Sequence, residues 1–266
     1  MCTTCGCAAE APARITGLLT APAHEHHADH DHDNADHDHE SARRTVEFEQ
    51  QILAKNDGLA QTNRRWLSRR GILAVNMMSS PGSGKTTLLE RTIRDLAGEL
   101  PIAVIEGDQE TVLDAERIRA TGCPVVQINT GAGCHLDAEM LSSALATLDP
   151  LAESVLMIEN VGNLVCPALF DLGERSKVVI MSVTEGDDKP LKYPHMFRAA
   201  DLMVLNKVDL LPYVQFDPDR CAGYARQINP GLAALQVSAT RGDGLDTWYG
   251  WLRAQVAGPD QPTGTG

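Results

Sequence analysis

From about residue 71 to residue 257, short apolar runs alternate with amphipathic stretches. The runs of strand length are 72–78 (ILAVNMM), 101–106 (PIAVIE), 124–128 (PVVQI), 154–159 (SVLMIE), 177–183 (KVVIMSV), 201–206 (DLMVLN) and 234–238 (ALQVS). Most are continuously hydrophobic, as suits strands covered on both faces. Strands separated by helices predict an α/β fold with a mostly parallel sheet, helices on both faces and right-handed crossovers. Ligands then belong at the carboxyl ends of the strands. Upstream, Val46, Phe48, Ile52, Leu53, Leu59, Trp66 and Leu67 recur at about helical spacing. Residues 41–70 are therefore expected to form an amphipathic helix, broken near Asp57-Gly58 and packed on the domain. Residues 1–40 lack aliphatic periodicity and are expected to be disordered, and 258–266 (GPDQPTGTG) reads as a frayed tail.

Composition narrows the function. A formal charge of −13 argues against a nucleic-acid binder, which needs a basic face. No apolar run approaches the roughly 18–20 residues that span a bilayer. The start, MCTTCGCAAEAPAR, has neither a basic n-region nor an apolar h-region, so a cytoplasmic protein is expected. Cysteines in that compartment serve as metal ligands, redox groups or core residues more than as disulfides.

The first strand leads into Ser79-Ser80-Pro81-Gly82-Ser83-Gly84-Lys85-Thr86-Thr87 and then a helical segment. This is a P-loop, with Ser79 where the general pattern has its first glycine. Gly82 and Gly84 let successive N–H groups point at phosphates, Lys85 reaches the β and γ oxygens, and Thr86 offers a hydroxyl to Mg²⁺. Asp108 after the second strand and Glu159 at the end of the fourth are candidates to complete the magnesium site, and the pattern leaves open which binds directly. Glu159-Asn160-Val161-Gly162 is similar to the D-x-x-G switch of GTPases with Glu for Asp, which makes the Gly162 N–H a γ-phosphate sensor. Asn163 stands where signalling GTPases carry the residue that orients the attacking water, so slow intrinsic hydrolysis is expected.

Asn206-Lys207-Val208-Asp209 follows the sixth strand. In N-K-x-D the aspartate accepts from guanine N1–H and N2–H₂, a donor pair that adenine lacks. Lys207 lies along the base and Asn206 braces the loops. Val237-Ser238-Ala239-Thr240 is similar to the loop whose alanine N–H meets guanine O6. The expected ligands are GTP and GDP.

Three groups of soft-metal ligands remain. Cys2, Cys5 and Cys7 lie within six residues around Gly6, a set suited to square-planar Ni²⁺ or to Zn²⁺. Residues 24–40 carry His24, His26, His27, His30, His32, His37 and His39 among carboxylates, a low-specificity reservoir for nickel, copper or zinc. Cys134 and His135 lie between the third strand and a helix expected near Leu136. Cys166 lies four residues past Gly162, close enough for a switch to pull on a metal ligand. Cys123 and Cys221 have no neighbouring ligands and read as core residues.

Together, C-x-x-C-G-C, the His-rich insert, SSPGSGKTT, EGDQET, GAGCHLD, ENVGNLVCP, TEGDDKPLKYP and NKVDLL resemble the hydrogenase nickel-incorporation GTPases, the HypB family, over nearly the whole chain. The resemblance implies a GTP-dependent homodimer, with Lys189 and Lys192 at its contact. It implies nickel or zinc at Cys134, His135 and Cys166, and a tight nickel site at Cys2, Cys5 and Cys7. It further implies delivery to the hydrogenase large subunit with a small zinc-containing accessory protein. A urease-type nickel chaperone GTPase and a metal-storage protein on a nucleotide fold are the alternatives. ENVGNLVCP and the Cys-rich start weigh against the urease type.

Overall fold

A computed structural model describes residues 34–108, 113–131 and 133–257, with side chains from Gln50 onward. The expectations for Cys2, Cys5, Cys7, His24, His26, His27, His30 and His32, for disorder before residue 34, and for the tail after 257 fall outside those residues. His37 and His39 lie within a helix, and their side chains are outside the description. By internal contacts the chain divides into residues 1–55 and 56–266.

In chain order the elements are α1 (Asn34–Arg69), β1 (Leu73–Ser79), α2 (Lys85–Leu96), β2 (Ile102–Asp108), α3 (Leu113–Arg119), β3 (Val125–Asn129), α4 (Ala138–Leu148), β4 (Val155–Glu159) and α5 (Cys166–Leu169). There follow β5 (Ser176–Ser182), α6 (Lys189–Lys192), α7 (Pro194–Ala199), β6 (Leu202–Asn206), a 3₁₀ turn (Val208–Tyr213), α8 (Pro218–Ile228), β7 (Ala233–Gln236) and α9 (Leu245–Ala257). The seven strands form one sheet in the order β3-β2-β4-β1-β5-β6-β7, and every pairing is parallel. From β1 the chain winds toward β3 and later toward β7, so the strand order reverses beside β1. A crevice opens at such a reversal, and the P-loop occupies it.

The apolar runs explain the sheet. All of β1 is buried, with Leu73, Val75 and Met77 in a core shared with α2 and α9, and Ala74 on the opposite face with α4. Alternate residues thus feed two cores. On one side Leu88, Leu89, Ile93 and Leu96 of α2 meet Trp248 and Leu252 of α9, and Trp248 Nε1 donates to Thr92 Oγ1 at 2.9 Å. A third apolar cluster joins β5 and β6 to α7 and α8.

Two expectations about the first helix are corrected. It begins at Asn34, ahead of the expected boundary at Ser41, and it continues through Asp57-Gly58 without a break. A single helical glycine costs about 1 kcal/mol. Beyond it, Ala60, Asn63 and Leu67 are buried against the domain, and that packing outweighs the penalty.

Candidate functional site

The carboxyl ends of β1, β2 and β4 surround a cavity of about 520 Å³ lined by residues including Gly82, Lys85, Thr86, Glu106, Asp108, Glu159, Gly162 and Lys207. Gly82 and Gly84 take positive φ values of 74° and 94°, which turn the loop into α2. A side chain at Gly84 would meet Asn206 Nδ2 at 2.6 Å. Lys85 Nζ donates to Ser79 Oγ at 2.9 Å, so the serine that replaces the first glycine of the pattern holds the lysine at the loop. Ser80 Oγ donates to Glu185 Oε2, and Lys189 Nζ also donates to that oxygen, at 2.5 Å.

Thr86 Oγ1 donates to Glu159 Oε1 at 2.7 Å. Glu106 Oε2, Glu159 Oε2 and Ser83 Oγ are buried without hydrogen-bond partners. Buried orphan oxygens are expensive, and three around one phosphate loop are what a cation–phosphate pair would engage. Burial, with Glu159, Asp108 and Asp114 nearby, pushes the Glu106 carboxyl up to about 8, against the opposing pull of Lys85. Burial likewise raises Glu159, opposed by Lys85 and the Thr86 hydrogen bond. Two buried acids whose ionisation is held back fit a Mg²⁺ site, since a divalent ion favours their charged forms.

At the end of β6, Asn206 ties three loops together. Its Nδ2 donates to Ser83 O at 3.1 Å, and its Oδ1 accepts from Lys207 N at 2.8 Å and Ala239 N at 3.1 Å. Lys207 adopts a left-handed φ of 63° and its Nζ donates to Gly82 O at 2.7 Å. Asp209 Oδ1 accepts from Ser238 Oγ at 2.6 Å, which fixes the carboxylate against the serine–alanine loop. The N-K-x-D segment, the serine–alanine loop and the P-loop are therefore one connected unit.

From the segments that follow β3 and β4, Cys134, His135 and Cys166 converge, with ligand atoms all within 4.8 Å of one another. The two sulfurs stand 2.6 Å apart, beyond the ~2.05 Å of a disulfide, and Cys134 Sγ lies 3.6 Å from His135 Nδ1. The His135 ring stacks on Phe170 at 3.9 Å between centroids. Burial lowers its pKa, opposed by Asp137, which keeps the ring neutral as a metal ligand requires. Two sulfurs and one imidazole nitrogen suit nickel or zinc, and three protein ligands leave a coordination position for an exchange partner. The helix expected near Leu136 begins at Ala138, where Asp137 caps it through Met140 N.

Gly162 connects the two regions. A Cβ there would lie 3.2 Å from Pro81 Cα of the phosphate loop. The next residue, Asn163, accepts through Oδ1 from Val165 N at 2.7 Å and Cys166 N at 3.3 Å.

A profile described as CobW/HypB/UreG, nucleotide-binding domain, matches residues 73–236. The chain is 48% identical to hydrogenase maturation factor HypB of Escherichia coli (strain K12), over 96% of this chain and 99% of that protein. It is 59% identical to the HypB of Azotobacter vinelandii, over 81% of this chain and 71% of that one. This chain belongs to the HypB family. Among solved structures, HypB of Archaeoglobus fulgidus superposes with a TM-score of 0.72 at 44% identity, covering 77% of this chain and all of that one. HypB of Helicobacter pylori in complex with nickel gives 0.73 at 36%, covering 80% of this chain and all of that one. The P-loop fold expected from the sequence is thus the fold of the family.

Within this HypB-family chain, Gly82, Ser83, Gly84, Lys85, Thr86, Thr87, Asp108, Glu159, Gly162 and Lys207 line the cavity, Asn206, Ala239, Asp209 and Ser238 adjoin it through hydrogen bonds, and Cys134, His135 and Cys166 fall together. Lys189 and Lys192 pair with Glu185 and Asp188 on the α6 turn. Sequence reasoning passed over Glu106, Glu185 and Phe170. Glu106 was legible as an acid ending an otherwise apolar run. Phe170 and Glu185 carry no local signal, because their roles arise from contacts across the fold.

Proposed function

We propose that this chain is a GTP-hydrolysing nickel metallochaperone that stores nickel and delivers it to the large subunit of a nickel–iron hydrogenase during maturation. The observation that carries the reading is the Cys134-His135-Cys166 cluster, whose Cys166 is hydrogen-bonded to Asn163 next to Gly162, which itself abuts the phosphate loop. A relative solved with nickel supports nickel as cargo, and the donor set admits zinc as well.

Lys85 leaves Ser79 Oγ to meet the β and γ phosphates, and Asp209 selects guanine. Thr86, Glu159 and Asp108 would hold Mg²⁺, with Glu106 beside them, and the ion would neutralise phosphate charge. The Oδ1 of Asn163, the acceptor that would orient an attacking water, already accepts from Val165 N and Cys166 N. Hydrolysis of GTP to GDP and phosphate by the lone chain is then slow, below about 1 per second. Movement of Gly162 on γ-phosphate loss passes through Asn163 to Cys166 and changes the grip on the metal.

The reading includes a cytoplasmic, GTP-dependent homodimer with Lys189 and Lys192 at its contact. A small zinc-containing accessory protein serves as transfer partner. The tail ligands Cys2, Cys5 and Cys7 and the histidines from His24 to His39 hold the store. No described helix is long and apolar enough to cross a membrane. The test is nickel transfer to an acceptor by the Lys85→Ala variant. Transfer should stop while nickel binding by the tail persists; undiminished transfer would favour storage on an idle nucleotide fold.

A further inference from the structure

Behind the metal loop runs a closed set of buried hydrogen bonds that neither site requires. Asn160 Oδ1 accepts from Leu136 N at 3.2 Å and from Val161 N at 3.0 Å, while its Nδ2 donates to Asn76 Oδ1 at 3.2 Å. Asn76 Nδ2 donates to Glu174 Oε1 at 3.1 Å, and Glu174 Oε2 accepts from Leu172 N at 2.7 Å. Asn63 Nδ2, from α1, closes the path by donating to Leu172 O at 3.1 Å and Ala138 O at 2.8 Å. Asn56 adds a second clasp, accepting from Ala138 N at 2.9 Å and donating to Asp171 O at 2.7 Å. All four side chains of the ring, Asn63, Asn76, Asn160 and Glu174, are buried.

Buried amides and carboxyls are costly unless bonded, so a complete ring across β1, α1, the start of α4 and the loops after β3, β4 and α5 is a rigid frame. Its connections are unequal. Asn63 and Asn56 hold the chain just beyond His135 and just beyond Phe170, which stacks on that imidazole. Asn160 alone in the ring touches both sides. The same oxygen accepts from Val161, next to the γ-phosphate sensor, and from Leu136, next to His135. One carbonyl oxygen cannot follow a displaced Val161 N–H and keep its bond to Leu136 unchanged. Two discrete arrangements of Asn160 would convert a switch movement into a shift of the metal loop.

We propose that Asn160 is the positioning residue that transmits the state of the nucleotide switch to the metal loop, with Asn76, Glu174 and Asn63 as the frame against which it moves. This rests on the switched-metallochaperone reading above. It supplies a route to His135 separate from the Asn163 link to Cys166.

The test is nickel affinity at the cysteine–histidine site of the full chain, with GDP and with a slowly hydrolysed GTP analogue. It is made for the parent, Asn160→Ala and Asn63→Ala. The parent should show a ratio between the two states of about tenfold. Asn160→Ala should lose at least half of that ratio on a logarithmic scale. Asn63→Ala should bind nickel roughly tenfold more weakly in both states, as loss of an outer support does, and keep the ratio. A full parent ratio in Asn160→Ala overturns the inference alone, as does an equal loss of ratio in Asn63→Ala. A parent ratio of one removes the switched reading itself and the inference with it. If Asn160→Ala does not fold, amide exchange of Leu136 in the parent decides. Protection that differs between nucleotides supports the role, and identical protection overturns it.

Discussion

Glu106 shows how one side chain records what its pocket is built to receive. In the folded chain its carboxyl is pushed up to about 8 by burial and by neighbouring acids, from an ordinary 4.5. The folded form therefore keeps a proton that the unfolded chain has released. The stability this gives is present below about 4.5 and is lost as pH rises toward 8. Chemical denaturation of the chain without nucleotide and Mg²⁺ should show that decline, and Glu106→Gln should flatten it; equal slopes would place the acid elsewhere. Mg²⁺ with GDP should restore more stability at pH 8 than at pH 5. Asp209 is the second residue with a sharp expectation. Asp209→Asn should weaken GTP binding by about 2 kcal/mol, roughly thirtyfold, because a charged acceptor is lost, and should turn preference toward xanthosine triphosphate. Competition binding with the two nucleotides reads this directly.

Among the elements, the strands were legible and the first helix was only partly so. Every apolar run of strand length became a strand; the five inner strands are mostly buried on both faces and leave a continuous signal, while the edge strands β3 and β7 are only partly buried. Helix α1 defeated the local rule at Gly58, since its buried face is defined by partners distant in sequence. The same distance hid the buried asparagines. Asn76 interrupts the run ILAVNMM, a visible anomaly, but its partners Asn160 and Glu174 come from other parts of the chain. The chemical motifs were readable because phosphate loops and guanine loops depend on fixed local spacing. The metal cluster was readable as three residues, while the Phe170 stack that orients one of them was not. Where α1 meets the loop before β5, Gly173 has φ 92°, and a Cβ would sit 2.4 Å from Ala60 O and 2.8 Å from Arg64 N. Gly173→Ala should therefore cost about 2–5 kcal/mol through strain and overpacking together, seen as a lower denaturation midpoint. A cost within 0.5 kcal/mol, the range of an ordinary surface change, would mean that the helix does not pack there as described.

At the scale of the nucleotide domain, the sheet acts as the rigid body and its carboxyl edge as the working surface. The strand-order reversal beside β1 puts the phosphate loop in the middle, the guanine loops toward β7 and the sulfur–imidazole cluster behind β4. Pro81, Gly162, Asn163 and Cys166 then form a short physical path from the phosphate loop to the sulfur–imidazole cluster. The central claim is that nucleotide state sets metal affinity at that cluster. It is tested most directly by titrating nickel into the full chain and following thiolate-to-nickel charge-transfer absorption, in a variant with Cys2, Cys5 and Cys7 changed to Ser. Titrations with GDP and with a slowly hydrolysed GTP analogue should give affinities that differ by about tenfold. Superimposable curves, or no charge-transfer band in either state, would contradict it.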